Sequence, residues 1–127
     1  DYIHSLDSEK LASRISKYQN ELKKNVNLFI QVNLANETQK SGIALHDLDH
    51  FYDYCTKDLS LNVIGLMCLP PFDSNSEEYF EIIKKSSKNL NLSDLSMGMS
   101  SDYEKAILHG STYLRLGTIL LGKRKVI

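Results

Sequence analysis

The residues best suited to chemistry lie late in the chain, in Leu95-Ser96-Met97-Gly98-Met99-Ser100-Ser101-Asp102 and Tyr113-Leu114-Arg115-Leu116-Gly117-Thr118. Gly98 and Gly117 let backbone approach an anion closely, and the hydroxyls of Ser100 and Thr118 add donors beside them. Such a set suits a phosphate held on exposed backbone N–H groups. Arg115 sits between Leu114 and Leu116, so its guanidinium must reach a rim or find a buried acceptor. Directed into a mouth beside a phosphate, it can donate to that phosphate or to a heteroaromatic ring nitrogen. Plainer roles stay open for each residue. Ser100 can cap a helix, Gly117-Thr118 can form an ordinary turn, and Arg115 can pair with a carboxylate or extend to solvent.

Other reactive residue types point to less. His46 and His50 have the i,i+4 spacing of a zinc helix, but His46-Asp47-Leu48-Asp49-His50 lacks the glutamate of the His-Glu-x-x-His pattern, so an exposed helix face is expected and no metal. His4, at a strand end, reads as a packed or hydrogen-bonded ring. Cys55 and Cys68 have neither the number nor the spacing of a disulfide framework, which implies buried thiols in a reducing, cytoplasmic compartment. No carboxylate or histidine pair stands out for acid–base work, so no catalytic residue is assigned.

These residues need elements to position them. Val26 to Leu34 alternates, with Val, Leu, Ile, Val and Leu on one face and Asn, Phe, Gln and Asn on the other, as in a strand between two environments. Leu61 to Cys68 is a nearly continuous apolar run stopped by Pro70-Pro71, the pattern of a parallel strand covered on both faces. Tyr2-Ser5, Asp94-Met97 and Thr112-Leu116 read as further strands. Helical patterns fall at about residues 8–23, 45–57, 76–90 and 102–109, with Asp7, Ser74 and Ser100 or Ser101 as caps. Strand and helix alternate throughout, so the expected class is α/β with right-handed parallel crossovers. The polar residues Asn33, Ser96 and Arg115 stand at or near carboxyl ends of strands, and no dinucleotide-type glycine fingerprint follows the first strand. Both points favour an arc of a (β/α)8 barrel over an open sheet.

Composition agrees with a folded domain. The 127 residues are 42% hydrophobic and 24% charged, with a net charge of −1. That balance suits neither a nucleic-acid partner nor disorder, and the terminal Lys123-Arg124-Lys125 cluster reads as a solvated tail. The apolar runs are too short for a membrane span. The chain starts with Asp1 on what already reads as a strand, so a fragment is expected.

The motifs His4-Ser5, Ile30-Gln31-Val32-Asn33, Lys40-Ser41-Gly42-Ile43, Gly65-Leu66-Met67, Leu95 to Ser100 with Asp102, and Arg115-Leu116-Gly117-Thr118 with Gly122 occur in an order that resembles the YggS-type pyridoxal 5′-phosphate homeostasis family. Its barrel is related to the N-terminal domain of alanine racemases. The resemblance implies a partial (β/α)8 barrel over residues 1–127, about strands 4 to 8, forming the C-terminal portion of a single domain. It implies pyridoxal phosphate as cofactor, with Ser100, Gly117 and Thr118 on the phosphate and Arg115 at the ring nitrogen. Gly98, Ser96 and Met67 would complete the pocket. The family's Schiff-base lysine lies in an earlier strand, so none of the lysines here takes that role, Lys40 included. The function implied is buffering and delivery of the cofactor without turnover. The alternatives are a racemase-like enzyme and a phosphate-binding barrel enzyme without the cofactor. Expected partners are the cofactor or phosphate, and either an N-terminal fragment or a second copy at the open barrel edges.

Overall fold

Residues 1–35, 41–71 and 74–121 are described by the structure, a computed structural model. Its strands are β1 (Tyr2–Leu6), β2 (Asn27–Asn33), β3 (Ile43–Ala44), β4 (Asn62–Cys68), β5 (Asp94–Met99) and β6 (Tyr113–Arg115). They form one parallel sheet in the order β1-β2-β4-β5-β6, with β3 also on β2. The helices are α1 (Glu9–Leu22), α2 (Leu48–Asp53), α3 (Ser76–Asn89), α4 (Tyr103–Leu108) and a short α5 (Thr118–Leu121).

Strand alternation divides the side chains between two layers. Leu28, Ile30 and Val32 of β2, Leu66 and Cys68 of β4, and Leu95 and Met97 of β5 join a core with Ala12, Ile15, Phe51, Phe80, Ile83 and Ala106 from the helices. The opposite face carries His4, Phe29 and Tyr113, whose rings pack together. The arc is curled enough that Tyr2 of β1 and Tyr113 of β6 have ring centroids 5.6 Å apart although their strands are not neighbours. Gly65 makes room on this inner face. A Cβ there would collide with the Asp94 carbonyl oxygen and lie 2.8 Å from a Phe29 ring carbon.

The five strands read from sequence are all present, and a sixth, β3, is added. With two residues it is too short to leave a period. It pairs Val32 and Asn33 with Ile43 and Ala44, beyond the point where β1 stops opposite Ile30. The expected helix at 45–57 is a composite: a 3₁₀ turn at Leu45–Asp47, then α2, then a π turn at Tyr54–Asp58. The caps are corrected. Ser8, not Asp7, caps α1 by accepting from the Leu11 N–H at 3.1 Å. Asp7 instead accepts from the Gly42 N–H at 3.2 Å and ties the first loop to β3. Ser74 donates to the Pro71 carbonyl at 2.6 Å, while Asn75 holds the cap position of α3. Asp102 rather than Ser100 or Ser101 precedes α4, and its carboxylate accepts from the Met99 N–H at 2.8 Å.

α4 is pinned to α3 through His109, whose Nδ1 lies 2.9 Å from Glu81 Oε1 and Nε2 3.1 Å from Glu77 Oε2. Lys105 Nζ is 4.0 Å from the other Glu77 oxygen. This clamp fixes the helix that begins after the β5 loop. His46 and His50 lie exposed, as expected. Lys40, Gly122 and the Lys123-Arg124-Lys125 cluster lie outside the described residues.

Candidate functional site

At the carboxyl ends of β4, β5 and β6 the structure has a cavity of about 440 Å³. Its lining includes Gly98 and Arg115 from the predicted set, with Pro70, Pro71, Ser101, Asp102 and Lys105 from the surrounding loops. The position follows from parallel topology, which gathers the following loops on one rim.

Arg115 is half-buried at the end of β6 and reaches across two strands. Its Nη2 donates to the Cys68 carbonyl at 2.8 Å, and its Nη1 donates to Ser96 Oγ at 3.2 Å and to the Ser96 carbonyl at 3.4 Å. Among the described residues these bonds run to a hydroxyl and to carbonyls rather than to a carboxylate. The buried Nε–H has no acceptor among the described residues. Burial lowers the pKa of Arg115 from its ordinary value, with Cys68 and Asp102 acting the other way. A guanidinium stays charged through such a shift.

Ser96 is fully buried beneath Arg115, and Met67, its register partner on β4, is 5% exposed. His4 Nδ1 lies 2.6 Å from Ser96 Oγ. Gly98 lines the cavity, and its backbone has φ +104°, where a Cβ would stand 2.7 Å from Ala106 Cβ and 2.9 Å from Leu114 Cδ2. Its missing side chain therefore seats α4 and β6, a packing role added to the anion-approach role expected of it. Gly117 is exposed, and an added Cβ there meets no atom within 4 Å. Thr118 opens α5 and is exposed, and Ser100 is half-buried in the turn after β5.

The structure thus joins Arg115 to Ser96, sets Met67 beside Ser96 on the neighbouring strand, and puts Ser100 after β5 and Gly117 after β6, with Thr118 opening α5. Two participants are missed by the sequence. The Cys68 carbonyl is a backbone group without a residue signature. Lys105 looks like any helix lysine, and only its place in the first turn of α4 sets it at the rim. Cys55 and Cys68 are free and buried. Burial pushes both thiols up to about 12, Glu9 adding to the effect at Cys55 and Arg115 opposing it at Cys68. Among the described residues no cluster of three or more metal-ligating side chains occurs, and no helix is long and apolar enough to cross a membrane.

An arc of parallel β/α units with an arginine-anchored cavity at the carboxyl ends defines part of an α/β barrel. The chain belongs to the family described as alanine racemase, N-terminal domain, which matches residues 1–125. The matched unit is an N-terminal domain, and the chain aligns to it. The expected placement in a C-terminal portion is corrected to that extent. A pyridoxal phosphate homeostasis protein of Aquifex aeolicus is 37% identical over 97% of this chain, and one of Escherichia coli K12 is 32% identical over 98%. This chain spans 58% and 56% of their lengths. Among solved structures, PipY of Synechococcus elongatus without pyridoxal phosphate superposes with a TM-score of 0.88 at 32% identity, covering 96% of this chain and 61% of PipY. PipY with pyridoxal phosphate bound gives 0.87 at 31% over the same shares. Diaminopimelate decarboxylase, at 15% identity and a TM-score of 0.60, shares the fold.

Proposed function

We propose that this chain supplies the phosphate and ring-nitrogen side of a pyridoxal 5′-phosphate site, in a protein that buffers and delivers the cofactor in the cytoplasm without turning over a substrate of its own. The observation that carries the reading is Arg115. Two of its nitrogens are fixed on Ser96 and Cys68, while its buried Nε–H has no acceptor among the described residues. Buried donors are nearly always partnered, so an orphan on a residue that lines the cavity fits a ligand acceptor such as a pyridine nitrogen. When bound, the cofactor supplies an aldehyde on an electron-withdrawing ring. An arginine donating to the ring nitrogen keeps that nitrogen unprotonated and weakens the ring as an electron sink, which suits holding better than turnover.

In this reading Ser100, Gly117 and Thr118 hold the phosphate, with Gly98 near the end of β5 seating the loop that carries Ser100. The open space at Gly117 supports this, because backbone there can be reached without a side chain in the way. Met67 and Ser96 form the wall. Residues 1–127 are proposed as one part of a single barrel domain, with β1, β2, β4, β5 and β6 as its fourth to eighth strands. In barrels, phosphate sites use the loops after the last two strands and a short extra helix, and α5 follows β6 in that position. The cofactor-anchoring lysine is then supplied by a strand outside the chain. The free thiols suit a reducing compartment.

The test is titration of the full-length protein with pyridoxal phosphate, pyridoxine phosphate and inorganic phosphate. Both ring-bearing ligands should bind at least roughly tenfold tighter than phosphate, and Arg115→Ala should remove most of that preference, about 1.4 kcal/mol for each tenfold. Thr118→Val should weaken all three alike. Equal affinity for all three ligands in the parent protein would sink the reading.

A further inference from the structure

The polar groups inside the arc make a second line of contacts behind the proposed site. Ser96 Oγ lies 3.2 Å from Arg115 Nη1 and 2.6 Å from His4 Nδ1. A guanidinium only donates, so Arg115 occupies one lone pair of the oxygen. The hydroxyl proton must then find an acceptor, and Ser96 is fully buried. Among the described residues the remaining partner of that oxygen is His4 Nδ1. Ser96 therefore donates to His4, which assigns the imidazole as neutral with its proton on Nε2. The ring is also held in place, with its centroid 4.3 Å from Phe29 and 5.5 Å, edge-on, from Tyr113.

We infer that His4 is a positioning residue for Arg115, accepting the Ser96 proton so that the Ser96 oxygen keeps a lone pair on Nη1 and Nε–H remains the donor offered to a ligand. The inference deepens the proposed cofactor reading and takes its ligand from it, while the contacts stand without it. The groups facing His4 agree with a neutral ring. Ser96 reaches it from β5, Arg115 and Tyr113 from β6, and Phe29 from β2. The charged group among them is the Arg115 cation, itself faced by Cys68 and Asp102. Burial first and Arg115 second lower the pKa of His4 from 6.5. The accepting form therefore persists at neutral pH and is lost as pH falls through the lowered value. Protonation would remove the acceptor and set a second cation toward the first.

The experiment uses the full-length protein with His4→Phe, which keeps a ring without an acceptor, and His4→Asn, which keeps an acceptor near the Nδ1 position. His4→Phe should weaken pyridoxal phosphate roughly tenfold, the loss of about one hydrogen bond to a charged network, and leave competition by inorganic phosphate unchanged. His4→Asn should recover most of that loss. Below pH 6.5, parent binding should fall with the His4 titration followed by imidazole NMR, and the His4→Asn profile should lack that step; the ligand's own titration is common to both. Unchanged affinity and pH profile in His4→Phe would overturn the inference. So would an equal loss for both ligands, which marks damage to the fold. A parent protein that does not bind pyridoxal phosphate overturns the cofactor reading alone. The relay is then decided in the ligand-free protein, where an Nε2–H tautomer of His4 supports it and an Nδ1–H tautomer refutes it.

Discussion

A methyl group added at Gly98 would press on Ala106 and Leu114 from backbone at φ +104°, whereas one added at Gly117 meets nothing. The two glycines, similar in sequence, should therefore fail in different ways. Gly98→Ala is expected to lower stability by about 1–3 kcal/mol, measured by urea unfolding, because overpacking and a left-handed backbone act together. Gly117→Ala should leave the urea midpoint unchanged and weaken phosphate-bearing ligands instead. A Gly98→Ala protein as stable as its parent would contradict the packing argument. Sequence alone carried Arg115 as far as the inner face of its strand, since alternation with Leu114 and Leu116 is a local property. It could not supply the Cys68 carbonyl or the His4–Ser96 contact, which depend on residues 47 and 92 positions away from their partners.

Between elements, the α3–α4 clamp makes a pH-dependent contribution of determinate sign. Both nitrogens of His109 face carboxylate oxygens, an arrangement that only the imidazolium satisfies by donating twice. Hydrogen bonding to Glu77 is the largest cause raising its pKa above 6.5. A raised folded value means that the contribution is complete below pH 6.5 and disappears as pH climbs through the higher value. Thermal melts of the parent against His109→Gln should show an advantage at pH 6 that shrinks toward alkaline pH, and a constant difference would refute the clamp. The N-terminus of α1 offers a simpler measurement. Ser8→Ala should cost about 1 kcal/mol, read by chemical denaturation, through loss of the bond to the Leu11 N–H. Helix spans were legible from their apolar spacing, but caps were not. Asp7, Ser8, Ser100, Ser101 and Asp102 are all competent cap types, and the loop geometry chooses among them. β3 was illegible for a different reason, being held by its partner strand rather than by any period of its own.

Across the whole sheet, β1 and β6 each have one main neighbour among the described residues and end the strand order. Unpaired parallel edges are templates for further strands. The 127-residue chain produced alone is therefore expected to self-associate, and light scattering should report assemblies that dissociate when the remainder of the barrel is supplied. A monodisperse monomer would count against this. The βα rhythm showed the class, and the polar strand ends suggested a barrel. The curl that brings Tyr2 to Tyr113 could not be foreseen, because it depends on contacts between opposite ends of the sequence.

The buried thiols turn the site into its own clock. With burial holding Cys68 and Cys55 at about 12, a thiol reagent at pH 8 meets almost no thiolate and little exposed sulfur while the protein stays closed. Labelling must wait for an opening event, so its rate counts openings rather than chemistry. Cys68 lies on β4, and its own carbonyl anchors Arg115, whereas Cys55 lies near the start of the π turn that follows α2. A ligand that tightens the Arg115 network should slow labelling at Cys68 more than at Cys55. The ratio of the two rates then separates local protection of the site from stabilisation of the whole arc.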